Sequence, residues 1–397
     1  MAAGDAAARL SRAARLGAGG VVGGQVVLAL RPNALAELSR QHTTVLVTGT
    51  NGKTTTTAML AGALTELGAV VSNSDGANMP DGLVATLSHC SGSAYGALEV
   101  DEAHLPAVLM ATEPVMVVLL NLSRDQMDRA GEVSRTERAL RQALSRCPWV
   151  TVIANCDDIL VTSVAAATRR PVWVAAGAGW QADATACPRC GDVVHDRTGQ
   201  WWCACGFSRP RPDWTLQQDG LRTPDGRRVP LAVGVPGLAN RANAAMAAAA
   251  AATLGAPLVP ALNRIGSIQD VAGRYRLVDH QGWRARLLLA KNPAGWRETL
   301  DVACEHERPV VLAVNARAAD GKDTSWLWDV SFDSLAGRRV IVSGENATDL
   351  AVRLTYAEVR HTVVPDPVAA ITAVPPGLVD VIGNYTAFQG IARRLVP

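Results

Sequence analysis

Eight consecutive residues, Thr48-Gly49-Thr50-Asn51-Gly52-Lys53-Thr54-Thr55, have the types and spacing that grip a polyphosphate. Two glycines let the backbone curl until successive N–H groups and a helix N-terminus face one anion, Lys53 adds a point charge, and Thr54 offers a hydroxyl to Mg²⁺. On this reading Gly49, Thr50, Asn51, Gly52, Lys53, Thr54 and Thr55 bind ATP, with Lys53 in a surface crevice and not in a core. Only Thr50 and Asn51 separate the glycines, where the usual phosphate loop has four residues. A glycine turn with a solvated lysine is the competing reading, and the flanks oppose it: 44–47 is an apolar run suited to a buried parallel strand, and 58–64 has the spacing of a helix.

Mg²⁺ on ATP wants hard oxygen ligands. The strand 95–100 ends in Glu99-Val100-Asp101-Glu102, which delivers carboxylates to the ligand edge of an α/β sheet. Glu99 is the candidate that joins Thr54 on Mg²⁺ and acts with Lys53 in catalysis; Asp101 and Glu102 read equally well as a solvated acidic turn. Asn240, in the segment opening the alanine-rich helix 244–252, carries a donor and an acceptor that match an adenine edge, or it caps that helix. The residues alone do not decide.

Four of the eight cysteines are clustered. Cys187-Pro188-Arg189-Cys190 and Cys203-Ala204-Cys205-Gly206 form two thiol-bearing turns suited to tetrahedral Zn²⁺, and four thiolates leave no open position, so the role is structural. Disulfides compete with this reading, but an ATP enzyme works where thiols stay reduced. Cys90, Cys147, Cys156 and Cys304 are scattered in apolar settings.

The elements that position these groups follow a β-α rhythm. Strands at 44–47, 69–72, 95–100, 115–120, 150–154 and 172–175 suit a parallel, doubly wound sheet, broken between 181 and 212 by the thiol insertion. Past 268 the pattern resets with strands at 285–289, 310–314, 339–343 and 379–382. The expected organisation is an N-terminal helical segment 1–40, an ATP-binding domain 41–268 with a zinc-ribbon insertion at about 182–212, and a second α/β domain 269–397. At 48% hydrophobic residues the chain has enough apolar material for such cores, and a net charge of +2 gives no bulk attraction to nucleic acid. Arg9, Arg12 and Arg15 precede a glycine-rich apolar stretch that makes a poor secretory signal, and the alanine run is too short to span a bilayer.

The short loop is similar to the ATP loop of Mur ligases and folylpolyglutamate synthases. Taken with Gly76-Ala77-Asn78-Met79, Glu99-Val100-Asp101-Glu102, Arg124-Asp125-Gln126-Met127-Asp128-Arg129, the four cysteines, Lys291-Asn292-Pro293-Ala294-Gly295 and the stretch from Asp320-Gly321 to Trp326, the chain resembles the MurT family, Mur-ligase-like subunits of a lipid II isoglutaminyl synthase. The resemblance implies a Mur-ligase central ATPase domain with an inserted four-cysteine zinc ribbon, then a Rossmann-like C-terminal domain. It implies a subunit that uses ATP, Mg²⁺ and structural Zn²⁺ to activate the α-carboxylate of D-glutamate in the lipid II stem as an acyl phosphate. Ammonia would come from a glutaminase partner called GatD, in a heterodimer.

Further implications are Arg274 on the ATP phosphates, and Asp323 completing the partner's Cys-His pair as its third member. Residue by residue, Asp323 reads equally as a cap on Ser325 or Trp326. The family works in the cytoplasm at the inner face of the membrane, touching the bilayer through its substrate, without nucleic acid or a membrane-spanning segment. Ala316 and Leu122-Ser123 depart from the family pattern. Two other readings stand beside this one: a Mur or folylpolyglutamate-type ligase that adds an amino acid, and a non-enzymatic ATP-binding scaffold with a zinc ribbon.

Overall fold

A computed structural model of the protein describes residues 20–73, 76–88, 92–124, 133–177, 186–269 and 274–395. The basic stretch at Arg9, Arg12 and Arg15, Cys90, the motif residues 125–129 and Gly273 lie outside the described residues. The chain divides into two compact units, one of Met1–Ser123, Glu132–Gly234 and Ala239–Gln269, the other of Arg124–Gly131, Val235–Leu238 and Asp270–Pro397.

The first unit is built on strands β1 (Thr43–Thr48), β2 (Val70–Ser72), β3 (Tyr95–Glu99), β4 (Met116–Leu119), β5 (Thr151–Asn155) and β6 (Pro171–Ala175). After a separate hairpin, β7 (Val194–Arg197) and β8 (Gln200–Cys203), come β9 (Trp214–Gln217), β10 (Gly220–Arg222) and β11 (Arg228–Pro230). The sheet order is β11-β10-β9-β6-β5-β4-β1-β3-β2. Pairing is parallel from β2 through β9 and antiparallel across the last three strands.

Strand β4 buries all four of its residues, as an apolar run does when both faces of a sheet are covered. Alternation sends Leu46, Leu98, Val117 and Val152 into one core with Leu83 and Leu87 of the helix Pro80–Ser88, Leu140 and Leu144 of the helix Val133–Ser145, and Val161 and Val164 of the helix Ile159–Ala165. The helices Gly20–Leu30 and Pro80–Ser88 come close because Gly24 has no Cβ; one would stand 1.9 Å from the Asp81 carbonyl oxygen. The sequence places the start of the first long helix at 58, whereas it starts at Lys53 and runs to Leu64. Four successive threonines are weak helix formers, but here Thr54, Thr55, Thr56 and Thr57 are all buried, and packing overrides propensity. The alanine-rich helix spans Leu238–Thr253, with Ala247 to Ala251 fully buried. The antiparallel extension β9–β11 is absent from the sequence expectation, since its strands are three or four residues long and polar on one side.

The second unit has a six-stranded sheet, order β12-β13-β17-β14-β15-β16. Its strands are β12 (Tyr275–His280), β13 (Trp283–Leu289), β14 (Val310–Ala313), β15 (Val340–Ser343), β16 (His361–Val363) and β17 (Leu378–Gly383), with β12 antiparallel and the others parallel. Edge strands β12 and β16 lack the apolar run that marks the inner strands, which is why the sequence shows only the other four. Trp296, Leu312, Phe332 and Leu350 fill one face, and Val311, Ile341, Val379 and Phe388 fill the other. Between paired positions of β13 and β17, Arg286 meets Asp380 through two bonds of 2.6 and 2.9 Å, and Arg286 also donates to the Val302 carbonyl at 3.0 Å. No helix among the described residues is long and apolar enough to cross a membrane.

Asp380 is fully buried, so Asp380→Ala leaves the guanidinium charge in a core without its partner. We expect this variant to lose about 3–5 kcal/mol of stability in the second unit, read from the urea midpoint.

Candidate nucleotide site and thiol cluster

The loop between β1 and the helix Lys53–Leu64 sits where the strand order reverses, with β3 on one side of β1 and β4 on the other. Its shape depends on both glycines. Gly49 has φ +138°, and a Cβ there would lie 3.0 Å from the Asn121 backbone; Gly52 has φ +84°, and its Cβ would lie 2.5 Å from Asn243 Oδ1. The end of β4 then grips the loop. Asn51 N–H donates to Asn121 Oδ1 at 2.8 Å, Asn121 Nδ2 donates to the Asn51 carbonyl at 3.0 Å, and Thr50 N–H donates to the Asn121 carbonyl at 3.0 Å. Thr50 Oγ1 donates to the Ser123 carbonyl at 3.1 Å and accepts from Ser123 N–H at 3.0 Å.

Lys53 corrects the expectation of an open crevice: it is 5% exposed. Its ammonium donates to the Gly49 and Thr50 carbonyls at 2.6 and 3.3 Å and to Glu102 Oε2 at 2.9 Å. Burial would push the Glu102 carboxyl up, but the Lys53 charge and hydrogen bond outweigh it and hold the group below its ordinary value. Glu102 is therefore the counter-ion of the loop lysine and not a solvated turn. Asp101 does serve the turn, accepting from Ala103 N–H at 3.0 Å.

Glu99, at the end of β3, is 1% exposed. Asn78 Nδ2 donates to its Oε1 at 3.0 Å, and Asn73 holds its backbone on both sides, accepting from Glu99 N–H at 2.7 Å and donating to its carbonyl at 2.9 Å. The other oxygen, Oε2, has no hydrogen-bond partner among the described residues. A buried carboxylate oxygen left unsatisfied suits a hard cation, so Glu99 together with the buried Thr54 fits Mg²⁺.

Asn240 lies in the first turn of the helix Leu238–Thr253, half-buried, 3.5 Å from Asn243 Nδ2. Arg274 and Asp323 belong to the second unit. The Arg274 carbonyl accepts from Leu289 N–H, and both Asp323 oxygens accept from Ser325, from its N–H at 2.8 Å and its hydroxyl at 2.9 Å. That pair of bonds keeps the exposed Asp323 carboxyl below its ordinary value. Two loops of the family pattern each reach the start of the helix Tyr385–Leu395 in this unit. Lys291 lies over the Tyr385 ring at 5.4 Å, while Asp320 accepts from the Thr386 N–H at 2.8 Å and from its hydroxyl.

The four cysteines come together as the spacing requires. Their sulfurs all lie within 4.8 Å of one another, with Cys187–Cys205 at 3.8 Å and Cys190–Cys203 at 3.5 Å. A tetrahedron with Zn–S bonds of about 2.3 Å has sulfur–sulfur edges of about 3.8 Å, so these thiols fit zinc. The Phe207 N–H, and after it the Cys203 thiol, bring Cys205 down to about 7, so a thiolate is accessible near neutral pH. The turns rest on a small core of Ile159, Cys187, Trp201, Cys203 and Phe207.

Sequence reasoning gives no role of their own to Asn121, Ser123, Asn73 and Asn243, and Asn78 enters it only within the family motif 76–79. Asn121 had a visible signal, the first polar residue where a buried strand stops, but its partner is seventy positions away. Asp158 was equally hidden. It caps the helix Ile159–Ala165 through Val161 N–H at 2.9 Å and reaches Leu122 N–H at 3.0 Å with its second oxygen. Burial pushes its carboxyl up to about 6 despite the N–H groups of Val161, Leu122 and Leu160.

For Gly52→Ala we expect strain of about 1–3 kcal/mol, appearing as at least a severalfold loss of ATP affinity in calorimetry, because φ and the Asn243 contact both oppose a Cβ. For Asp158 the folded carboxyl lies above its ordinary 3.8, at about 6. Its contribution to stability is thus complete below about pH 4 and lost as pH rises through about 6. In urea titrations from pH 4 to 7, wild type should lose roughly 1–3 kcal/mol relative to Asp158→Asn.

Residues 47–251 match the family model of the Mur ligase middle domain, and residues 289–388 that of the MurT ligase C-terminal domain. The lipid II isoglutaminyl synthase (glutamine-hydrolyzing) subunit MurT of Streptococcus pneumoniae is 31% identical over 86% of this chain and 83% of its own length. The protein of that name from Staphylococcus aureus is 28% identical over 94% and 92%. Among solved structures, a pseudomurein peptide ligase type C from Methanothermus fervidus has a TM-score of 0.68 at 18% identity, covering 90% of this chain and 78% of that one. MurF ligase from Thermotoga maritima, in complex with ADP, has a TM-score of 0.62 at 15% identity, covering 90% and 81%. With two domain models in sequence and relatives matched over most of their length, the chain belongs to the Mur ligase family, in its MurT branch.

Proposed function

We propose that this protein is the ATP-dependent subunit of a lipid II amidating ligase, converting the α-carboxylate of the stem D-glutamate to the amide of D-isoglutamine. The observation that carries this reading is the loop held at the sheet's switch point, with Lys53 paired to Glu102 just beyond β3 and Glu99 at the end of that strand, in a chain that matches MurT subunits over most of its length. Lys53 and the start of the helix Lys53–Leu64 would bind the triphosphate, and Thr54 and Glu99 would hold Mg²⁺, which would supply charge neutralisation for phosphoryl transfer. Asn240 and Arg274 are assigned to the same nucleotide. Glu102 holds Lys53 against the loop until phosphate oxygens compete for it.

The substrate carboxylate attacks the γ-phosphorus and leaves as an acyl phosphate with ADP departing. Ammonia then attacks the acyl carbon and expels phosphate. Ammonia comes from a separate glutaminase subunit of the GatD kind, whose Cys-His pair Asp323 would orient. Such an enzyme works in the cytoplasm at the membrane face that presents lipid II. Cys187, Cys190, Cys203 and Cys205 hold a structural zinc.

The test uses the purified chain with its glutaminase partner, lipid II, ATP, Mg²⁺ and glutamine, and mass spectrometry for the loss of about one dalton on amidation. We expect Lys53→Ala to abolish product; because the change leaves the buried Glu102 without its counter-ion, circular dichroism and the urea midpoint are read beside it. Asp323→Asn should cripple the glutamine-dependent reaction while excess ammonium restores most of the product. Amidation by Lys53→Ala at the wild-type rate would refute the site, and addition of an amino acid without any ammonia source would favour an ordinary Mur-type ligase.

A further inference from the structure

The thiol cluster and the phosphate loop are tied to the same four residues. Cys156-Asp157-Asp158-Ile159 follows β5, and three of the four hold the ribbon. The Cys156 carbonyl accepts from Trp201 Nε1 at 3.2 Å, Asp157 Oδ1 pairs with Arg209 Nε at 2.6 Å, and Ile159 packs with Cys187, Trp201, Cys203 and Phe207. The ion pair is about a tenth exposed on each side, so it is shielded from solvent. Asp157 also uses its other oxygen, which accepts from Gly177 N–H at 2.7 Å. The fourth residue turns toward the nucleotide. Asp158 accepts from Leu122 N–H, the residue after Asn121, whose amide grips Asn51 in the loop.

The ribbon has little core of its own and borrows Ile159 from the segment after β5. An insertion of this kind depends on its metal for order. When the thiols are not gathered, Trp201 is no longer packed with Cys187, Cys203 and Phe207; the Trp201 carbonyl that accepts from Arg209 N–H at 3.0 Å loses its fixed place, and Asp157 loses a shielded counter-ion. The segment that carries Asp158 then loses the contacts on one side that fix its place beside Leu122.

We infer that the four-thiol ribbon sets the nucleotide affinity of the phosphate loop, with Asp157 and Asp158 as the positioning residues that join the two. This rests on the reading that the loop binds ATP and that the thiols hold zinc. Linkage then demands reciprocity: if zinc strengthens nucleotide binding by some factor, nucleotide strengthens zinc binding by the same factor.

The experiment measures both affinities on the full chain. Calorimetry gives the Kd of a non-hydrolysable ATP analogue with Mg²⁺ for zinc-loaded and chelator-stripped protein, and competition with a chromophoric chelator gives the zinc Kd with and without saturating analogue. We expect stripping to weaken the analogue by about 5-fold or more, and removal of the analogue to weaken zinc by a matching factor. Arg209→Ala keeps all four thiols and touches neither nucleotide nor metal; it should retain full zinc stoichiometry yet bind the analogue about 3-fold or more weakly. If circular dichroism shows that stripping unfolds the protein, the Arg209→Ala measurement decides alone. Equal analogue affinities in folded stripped protein, or a wild-type Kd in Arg209→Ala, would overturn this inference alone. Zinc-loaded wild type that binds no analogue would overturn the functional reading as well.

Discussion

Asn121 presents its amide to Asn51 as a neighbouring strand would, accepting the N–H and donating to the C=O of one residue. A loop containing two glycines has many conformations open to it, and the amide selects one. That grip is possible only because β4 lies directly beside β1, with β3 on the opposite flank carrying Glu99. The strand order is thus part of the site. A sheet of the same strands in sequential order would separate the loop from both its clamp and its carboxylate.

The same device recurs in the second unit. Asn384 accepts from the Asn315 N–H at 3.1 Å and donates to its carbonyl at 2.6 Å, and Asn315 Oδ1 accepts from the Glu345 N–H at 2.9 Å. At both sheet edges a side-chain amide completes hydrogen bonding where the ladder ends and the chain must turn. The cost of ending a buried strand is met locally, which leaves the loops beyond it available to carry Lys291, Asp320 and Asp323.

The elements legible in the sequence are those whose signal is local. The phosphate loop, the paired thiol turns and the inner parallel strands announce themselves through residues close together in the chain. Glu102 was indistinguishable from a solvated acid because its meaning comes from Lys53, forty-nine positions away. Arg286 and Asp380 are single charges inside the runs 285–289 and 379–382, and only the pairing register of β13 with β17 shows them as one buried unit. Strands β9–β11, β12 and β16 stayed hidden for another reason: they lie toward sheet edges, where one face meets solvent and no apolar run is needed.

The alanine-rich helix Leu238–Thr253 has a consequence for how this region can change. Alanine gives up no side-chain rotamers on burial and fills little volume, so the helix gains order at small entropic cost while its neighbours close tightly around it. Ala247 to Ala251 have no exposed side into which an added methylene could extend. Substitutions from Ala247 to Ala251 are therefore restricted by volume rather than by polarity, and a small hydroxyl such as serine is better accommodated there than a leucine. The helix carries Asn243 against Gly52 at its loop end, so bulk inserted further along it would be felt as displacement of a single amide beside the phosphate loop.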